Sequence, residues 1–351
     1  MKRKVAILGA TGIVGQRFIE LLQNHPWFEI SVLAASEKSA GKKYKDACDW
    51  KLTSPMPSEI GEMTVAASDL RSVESAGDVD FVFSAIPGDT ASAIEEQFAA
   101  KYPVISKASA HRGDADVPLI IPEVNPDHLA LIPIQKKKRG WSGYITTDPN
   151  CSTTQLAISL KPLMKFGLKS VMVSTMQALS GAGYPGVASM DIIDNVLPFI
   201  KNEEEKIETE STKVLGAFNH GAISKAPIRL SASCSRVNVS DGHTESVFVG
   251  LEQNPEIDEI TREFEKFRGL PQELKLPSAP EHPIVVRREN DRPQPKCDRD
   301  CGNGMSVVLG RIRKDPVMTV KYTCLGHNTV RGAAGGSILH AELLAKKGYL
   351  D

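Results

Sequence analysis

The sequence predicts an α/β chain of two domains, a parallel-sheet domain followed by an α+β domain built on a mixed sheet. Three observations carry this reading. At 351 residues the chain is long enough for about two domains. Its first half alternates short apolar runs with helix-like segments, the order that lays parallel strands side by side. Beyond residue 150 the strand-like runs become longer and follow one another with fewer helices between them.

Lys4-Val5-Ala6-Ile7-Leu8 is an apolar run of strand length. It leads into Gly9-Ala10-Thr11-Gly12-Ile13-Val14-Gly15, then a helix-like segment at 17–22 and a second strand at 28–34. Strand, glycine loop and helix in that order predict a Rossmann-type, dinucleotide-binding domain. The spacing is GxxGxxG and not the commoner GxGxxG, but the physics is shared: glycine lets the backbone approach a pyrophosphate, and the helix N-terminus offers N–H donors. The cofactor-binding candidates here are Gly9, Thr11, Gly12, Ile13, Val14 and Gly15. After the second strand, Ser36, Ser39 and Lys42 can hold a ribose 2′-phosphate, which favours NADP(H), although Glu37 among them argues for NAD.

Further strands are expected at 79–84 and 103–106, with a helix at 90–100 between them. Ser84 and Pro87 then fall at a strand's carboxyl end, where open parallel sheets bind ligands. Residues 135–139, Gln-Lys-Lys-Lys-Arg, read as a basic surface turn. Next comes Thr147-Asp148-Pro149-Asn150-Cys151-Ser152-Thr153-Thr154, ahead of an apolar-periodic stretch at 156–166. Cys151 is thereby set at the start of a helix, where unpaired N–H groups and the positive end of the dipole favour a thiolate. Such a sulfur attacks carbonyl carbon. In the second half, strands are expected at 171–177, 246–252, 306–313 and 318–324, an amphipathic helix at 257–267, and a terminal helix at 337–346 that returns to cover the first domain. Loops fall at 181–186 and 277–283. The division expected is residues 1–149 with 327–351, and 150–326.

Composition narrows the class. Charged residues make up 24% and apolar ones 41%, and the net charge is -1, without the basic field that nucleic-acid binding needs. The chain opens directly on a strand and has no apolar run of about 18 residues, so neither a signal peptide nor a membrane span is expected and a cytoplasmic location is. Six cysteines without a framework suggest reduced thiols. Cys297 and Cys301 lack the further ligands of a zinc set, so no metal is expected.

Several motifs occur in one fixed order. They are Gly9 to Gly15, Ser109-Ala110-His111-Arg112, Glu123-Val124-Asn125, Pro149-Asn150-Cys151-Ser152-Thr153, Gln177 with Ser180-Gly181-Ala182-Gly183, Glu210 with Lys213, Arg236 with Gly242-His243, and Asn328 to Gly335. Together they resemble the aspartate-semialdehyde dehydrogenase family over essentially the whole chain, closest to its archaeal and fungal branch. That branch also contains malonyl-CoA and succinyl-CoA reductases. The resemblance implies a catalytic and dimerisation domain at 150–326 and a homodimer or homotetramer. It implies Cys151 as the nucleophile that forms a thioester, His243 as acid/base, and Gln177 as the group that orients substrate or histidine. Arg236 would hold the substrate carboxylate, Glu210 its ammonium, and Arg112 and Lys213 the phosphate. The N–H groups of Asn150 and Cys151 would stabilise an oxyanion, while Ser180, Gly181, Gly183 and Asn328 would face the nicotinamide. The expected reaction is reduction of aspartyl 4-phosphate to aspartate 4-semialdehyde with NADPH. A CoA-thioester reductase using the same cysteine is the alternative, and a nucleotide-binding redox sensor the remote one. Lys107, Asp148 and Asn238 depart from the family pattern. Asp148, if ionised beside the sulfur, would disfavour the thiolate.

Overall fold

The computed structural model describes residues 2–351. Its first sheet contains β1 (Arg3–Leu8), β2 (Phe28–Ala35), β3 (Ala66–Ala67), β4 (Phe81–Ser84), β5 (Pro103–Ser106) and β6 (Tyr144–Thr147), all parallel, in the order β3-β2-β1-β4-β5-β6. Val5 to Leu8 and Phe81 to Ser84 are wholly buried, which is why they read as continuous apolar runs and not as alternation. The winding reverses at β1, opening a crevice at the carboxyl ends of β1 and β4. The chain leaves those ends through Gly9 and Ala85, and leaves the neighbouring β5 and β6 through Lys107 and Asp148.

The second sheet is mixed. It holds β7 (Leu168–Gln177), β10 (Arg229–Arg236), β11 (His243–Leu251), β12 (Ile284–Val286), β13 (Val307–Lys314) and β14 (Val320–Gly326), ordered β10-β7-β11-β14-β13-β12; β8 (Ala217–Asn219) and β9 (Ala222–Ser224) form a separate hairpin. β7 alternates strictly: Val171, Val173, Thr175 and Gln177 point inward, while Met172, Ser174 and Met176 point out. The inward face packs under the helix Cys151–Leu160, whose Leu156, Ala157 and Ile158 share a core with Val171, Val173 and Val247. One short helix therefore starts at the tip of the first sheet and lies on the second. The terminal helix Gly335–Lys346 returns to the first domain, where Ile338 and Leu339 join the core of Ile7 and Phe18 and the Tyr144 hydroxyl donates to Tyr349 O at 3.0 Å.

Residues 135–139 are not a turn but the end of a helix, Leu131–Arg139. Gln135 is buried and does what a strand neighbour would: its Nε2 donates to Asp116 O and Ile145 O, and its Oε1 accepts from the Ile145 N–H. The basic run occupies the last turn, a favourable place for cations, and Gly140 ends it at φ 69°. The strands that escaped the sequence reading are β3, β6, β8, β9 and β12, each of four residues or fewer, and the small polar β10. No helix among the described residues is long and apolar enough to cross a membrane.

Candidate active site

Cys151 is the first residue of its helix. Asn150 caps it, with Oδ1 accepting from the N–H groups of Ser152 at 2.9 Å and Thr153 at 3.1 Å. The Cys151 Sγ faces His243 Nε2 at 3.2 Å. His243 begins β11 and is fully buried, and its Nδ1 accepts from the Ala178 N–H at 3.0 Å. An Nδ1 that accepts is unprotonated, so the neutral ring carries its proton on Nε2, pointed at the sulfur.

Around this pair lies a cavity of about 380 Å³ lined by residues of both domains, among them Val14, Pro87, Lys107, Arg112, Glu203 and Lys206. Ser180, Gly181, Gly183 and Asn328 also line it. A Cβ on Gly181 would stand 2.8 Å from Arg236 Nη1 and 2.9 Å from His243 Cε1, so both groups pack directly behind this glycine and do not themselves line the cavity. Arg236 is buried, donates from Nη1 to Ala178 O at 2.7 Å, and has no carboxylate within ion-pair distance among the described residues. A buried guanidinium so placed calls for an anion.

The remaining candidates divide. Asn150 lines the cavity, yet its N–H already donates to Glu210 Oε2 at 2.6 Å, so it is not free for an oxyanion; the Cys151 N–H, in the first helical turn, is the remaining backbone donor. Glu210 does not line the cavity: it holds Arg112 Nη1 at 3.0 Å. Lys213 gives its ammonium to the carbonyls of Arg112, Asp114 and Val117 and is a buttress. The residues that face the cavity from the same helix, Glu203–Val214, are Glu203 and Lys206, which sequence reasoning missed. The helix buries Glu203, Ile207, Glu210 and Val214, steps of four, three and four, so the acidic run has a buried face. Glu203 Oε1 accepts from Asn150 Nδ2 at 2.7 Å and Gln177 Nε2 at 3.0 Å. Gln177 thus fixes Glu203 and does not meet the cavity itself.

The glycine loop has the expected shape. Gly9 has φ 76°, where a Cβ would lie 2.6 Å from Ala85 O, and a Cβ on Gly15 would lie 2.4 Å from Gly9 O. In front of Gly12 the space is open, with the nearest atom 3.5 Å away. Gly12 makes no side-chain cap, so the first-turn N–H groups of the helix Ile13–Leu21 stay available to a pyrophosphate. Thr11 O accepts from Gln16 Nε2 at 3.0 Å, fixing the loop. Ser36, Ser39 and Lys42 lie on a turn after β2, outside the cavity that holds Cys151. Ser84 is buried with its hydroxyl on Glu95 Oε1 at 2.6 Å, so it supports the strand end from behind. Asn328 donates to Ser180 Oγ at 2.8 Å and accepts from the Gly242 N–H at 2.9 Å, joining the two loops beside the cavity.

Two family sequence models cover this architecture: the NAD binding domain of semialdehyde dehydrogenases matches residues 4–132, and their dimerisation domain matches 160–331. The chain belongs to the semialdehyde dehydrogenase family. An aspartate-semialdehyde dehydrogenase of Archaeoglobus fulgidus is 54% identical over 348 residues, covering 99% of both chains. A malonyl CoA reductase (NADP) of Metallosphaera sedula is 43% identical, covering 99% of this chain and 98% of its own. The crystal structure of aspartate semialdehyde dehydrogenase with NADP from Candida albicans superposes with a TM-score of 0.90 at 40% identity, covering 99% of each chain.

Within this semialdehyde dehydrogenase site the electrostatics differ from the sequence expectation. Burial, and then the Glu203 carboxylate, push the Cys151 thiol up to about 11 against the pull of Lys107 and the helix terminus. Burial and the nearby Arg236 push His243 down to about 3. The histidine is therefore neutral at physiological pH, with a fixed Nε2–H, and does not titrate near neutrality as an exposed histidine would. Asp148 does not act on the sulfur: Ser337 Oγ and His340 Nδ1 engage its carboxylate, the latter at 2.8 Å. Burial raises its pKa, but His340 and Lys107 outweigh this and hold it below the usual carboxylate range. Asn238 is exposed and outside the cavity.

Proposed function

We propose that this chain is an NADP-dependent aspartate-semialdehyde dehydrogenase that reduces aspartyl 4-phosphate to aspartate 4-semialdehyde through a thioester on Cys151. The observation that carries the reading is the mixed charge around the sulfur. Arg236, directly behind Gly181, lacks an acidic partner and suits a carboxylate; Glu203 lines the cavity with its carboxylate and suits an ammonium; Arg112, Lys107 and Lys206 suit a phosphoryl group. Aspartyl phosphate carries all three groups. A dicarboxylic CoA half-ester has no ammonium for Glu203. The family match and the 54% identity to an archaeal aspartate-semialdehyde dehydrogenase support the same choice.

Each residue's task follows from its position. The Gly9–Gly15 loop and the following helix N-terminus would hold the cofactor's pyrophosphate, Ser36, Ser39 and Lys42 its 2′-phosphate, and Ser180, Gly181, Gly183 and Asn328 its nicotinamide end. NADPH, when bound, supplies the hydride. Cys151 Sγ attacks the acyl carbon, phosphate departs, and a thioester remains. After reduction, the thiohemiacetal oxygen is held by the His243 Nε2–H and the Cys151 N–H, a kind of stabilisation commonly worth about 3 kcal/mol of barrier. The oxygen's electron pair then expels Sγ and frees the aldehyde.

The second sheet matches a dimerisation domain; its outward face carries Met172 and Met176, and the segment whose Leu197 bridges to Arg236 at the sheet's edge exposes Met190, Ile193, Val196 and Phe199. These exposed apolar side chains mark the face through which we infer two copies pair. The functional test is phosphate-dependent NADP⁺ reduction with aspartate semialdehyde, run beside NADPH oxidation with malonyl-CoA and succinyl-CoA. Phosphate-dependent turnover without thioester reduction is expected; efficient reduction of a CoA thioester overturns the reading.

A further inference from the structure

A nucleophilic sulfur in this cavity lacks an obvious source of positive charge. His243 is held neutral by its Nδ1 bond from Ala178, and it supplies only an N–H. Arg112 is paired with Glu210 at 3.0 Å, and Lys206 faces Glu203 at 4.0 Å. Arg236 enters on the His243 side, behind Gly181, with its Nη1 on a carbonyl. Lys107 stands on the other side. It follows β5 directly, and since β5 and β6 are parallel neighbours with Ser106 opposite Thr147, its place is beside Asp148 and Pro149, immediately ahead of the nucleophile. The Lys107 N–H donates to Ser84 O at 2.9 Å, Arg112 Nη2 donates to the Lys107 carbonyl at 2.7 Å, and the Lys107 ammonium donates to Pro149 O. Among the described residues no carboxylate lies within ion-pair distance of that ammonium, which lines the cavity with Cys151.

We propose that Lys107 is a catalytic residue: its ammonium is the counter-ion of the Cys151 thiolate and then receives the phosphoryl oxygen that leaves the acyl carbon. The second half of this statement rests on the acyl-phosphate reading given above. In that step the Sγ–C bond forms and the C–O bond to phosphorus breaks. The departing oxygen takes the electron pair, and it regains from solvent the proton that the thiol gave up on ionising, so phosphate leaves as hydrogen phosphate. Burial draws the Lys107 pKa down to about 8, the behaviour of a cation held short of negative charge. Of the groups that lower the Cys151 pKa, Lys107 is the largest.

The test uses the intact enzyme and iodoacetamide, with modification located at Cys151 by peptide mass spectrometry from about pH 6 to about pH 10. Lys107→Met should alkylate about tenfold more slowly at neutral pH, the effect of raising the thiol pKa by about one unit. Lys107→Arg should stay close to the parent. Inorganic phosphate should protect Cys151 in the parent, and Lys107→Met should need about tenfold more of it. Lys107→Gln, which keeps a donor for Pro149 O, repeats the comparison if the methionine variant folds poorly. Superimposable alkylation profiles overturn the thiolate role, and unchanged phosphate protection overturns the leaving-group role. An enzyme that preferred a CoA thioester would still show the alkylation shift, so failure of the substrate assignment is distinguishable from failure of this one.

Discussion

Glu203→Gln separates recognition from scaffolding at this site. The carboxylate is 7% exposed, and Oε1 accepts from Asn150 and Gln177, bonds that a glutamine oxygen can keep. The substitution therefore removes charge while preserving shape. If Glu203 meets the substrate ammonium in this buried setting, losing the pair costs about 3 kcal/mol, within the range for buried charge partners, or about 150-fold in kcat/KM for aspartate semialdehyde. Succinic semialdehyde, the same molecule without its amino group, should lose little. The same change has an opposite effect on the nucleophile, because the Glu203 charge holds the Cys151 pKa up. Iodoacetamide should thus react faster with the variant than with the parent near neutral pH. Equal losses on both aldehydes would refute the ammonium role and leave Glu203 as a brace for Asn150 and Gln177. Slower alkylation would refute the electrostatic argument.

Gly181→Ala places a methyl 2.8 Å from Arg236 Nη1 and 3.0 Å from His243 Nε2, and should lower kcat/KM about 100-fold with little change in melting temperature, measured by steady-state kinetics and calorimetry. Glu245 is fully buried with no hydrogen-bond partner for either oxygen, and burial raises its pKa well above the carboxylate range. The unfolded carboxyl ionises at about pH 4.3 while the native one stays protonated, so native stability falls by about 1.4 kcal/mol per pH unit above that point until the native pKa is reached. Glu245→Gln does not ionise, and its stability advantage over the parent in urea titrations should grow from about pH 5 to about pH 7; a pH-independent difference contradicts this. Phe199, 71% exposed, lies on the apolar face assigned to self-association, and Phe199→Asp should shift the assembly toward monomer in sedimentation velocity.

Where local pattern and tertiary role coincide, the sequence was legible. The glycine loop, the parallel strands flanking it and the helix-terminal cysteine each follow from nearest-neighbour chemistry, and the structure has them at those positions. Where a residue's partner lies far along the chain, local reading failed. Glu203 and Glu210 begin equivalent Glu-x-x-Lys quartets, Glu203 to Lys206 and Glu210 to Lys213, and nothing local says which one meets the cavity. The answer depends on Arg112 and on the carbonyls of residues 112–117, about a hundred residues away, which consume Glu210 and Lys213. The Asn150 N–H was assigned to an oxyanion for the same reason, since its acceptor on Glu210 is sixty positions distant. The pKa of Cys151 was misjudged in sign because a helix terminus is visible in sequence, whereas partial burial beside Glu203 is not. The helix at Leu131–Arg139 was hidden by its own lysines, while its anchor is one buried glutamine.

Covalent catalysis by Cys151 is the claim on which the rest depends, and trapping the intermediate tests it most directly. Enzyme incubated with aspartate semialdehyde and NADP⁺, without phosphate, is quenched in acid and digested for peptide mass spectrometry. The account predicts an aspartyl thioester on the peptide containing Cys151, formed with a stoichiometric burst of NADPH and discharged when phosphate is added. A burst with Cys151 unmodified, or the acyl group on another residue, would contradict it.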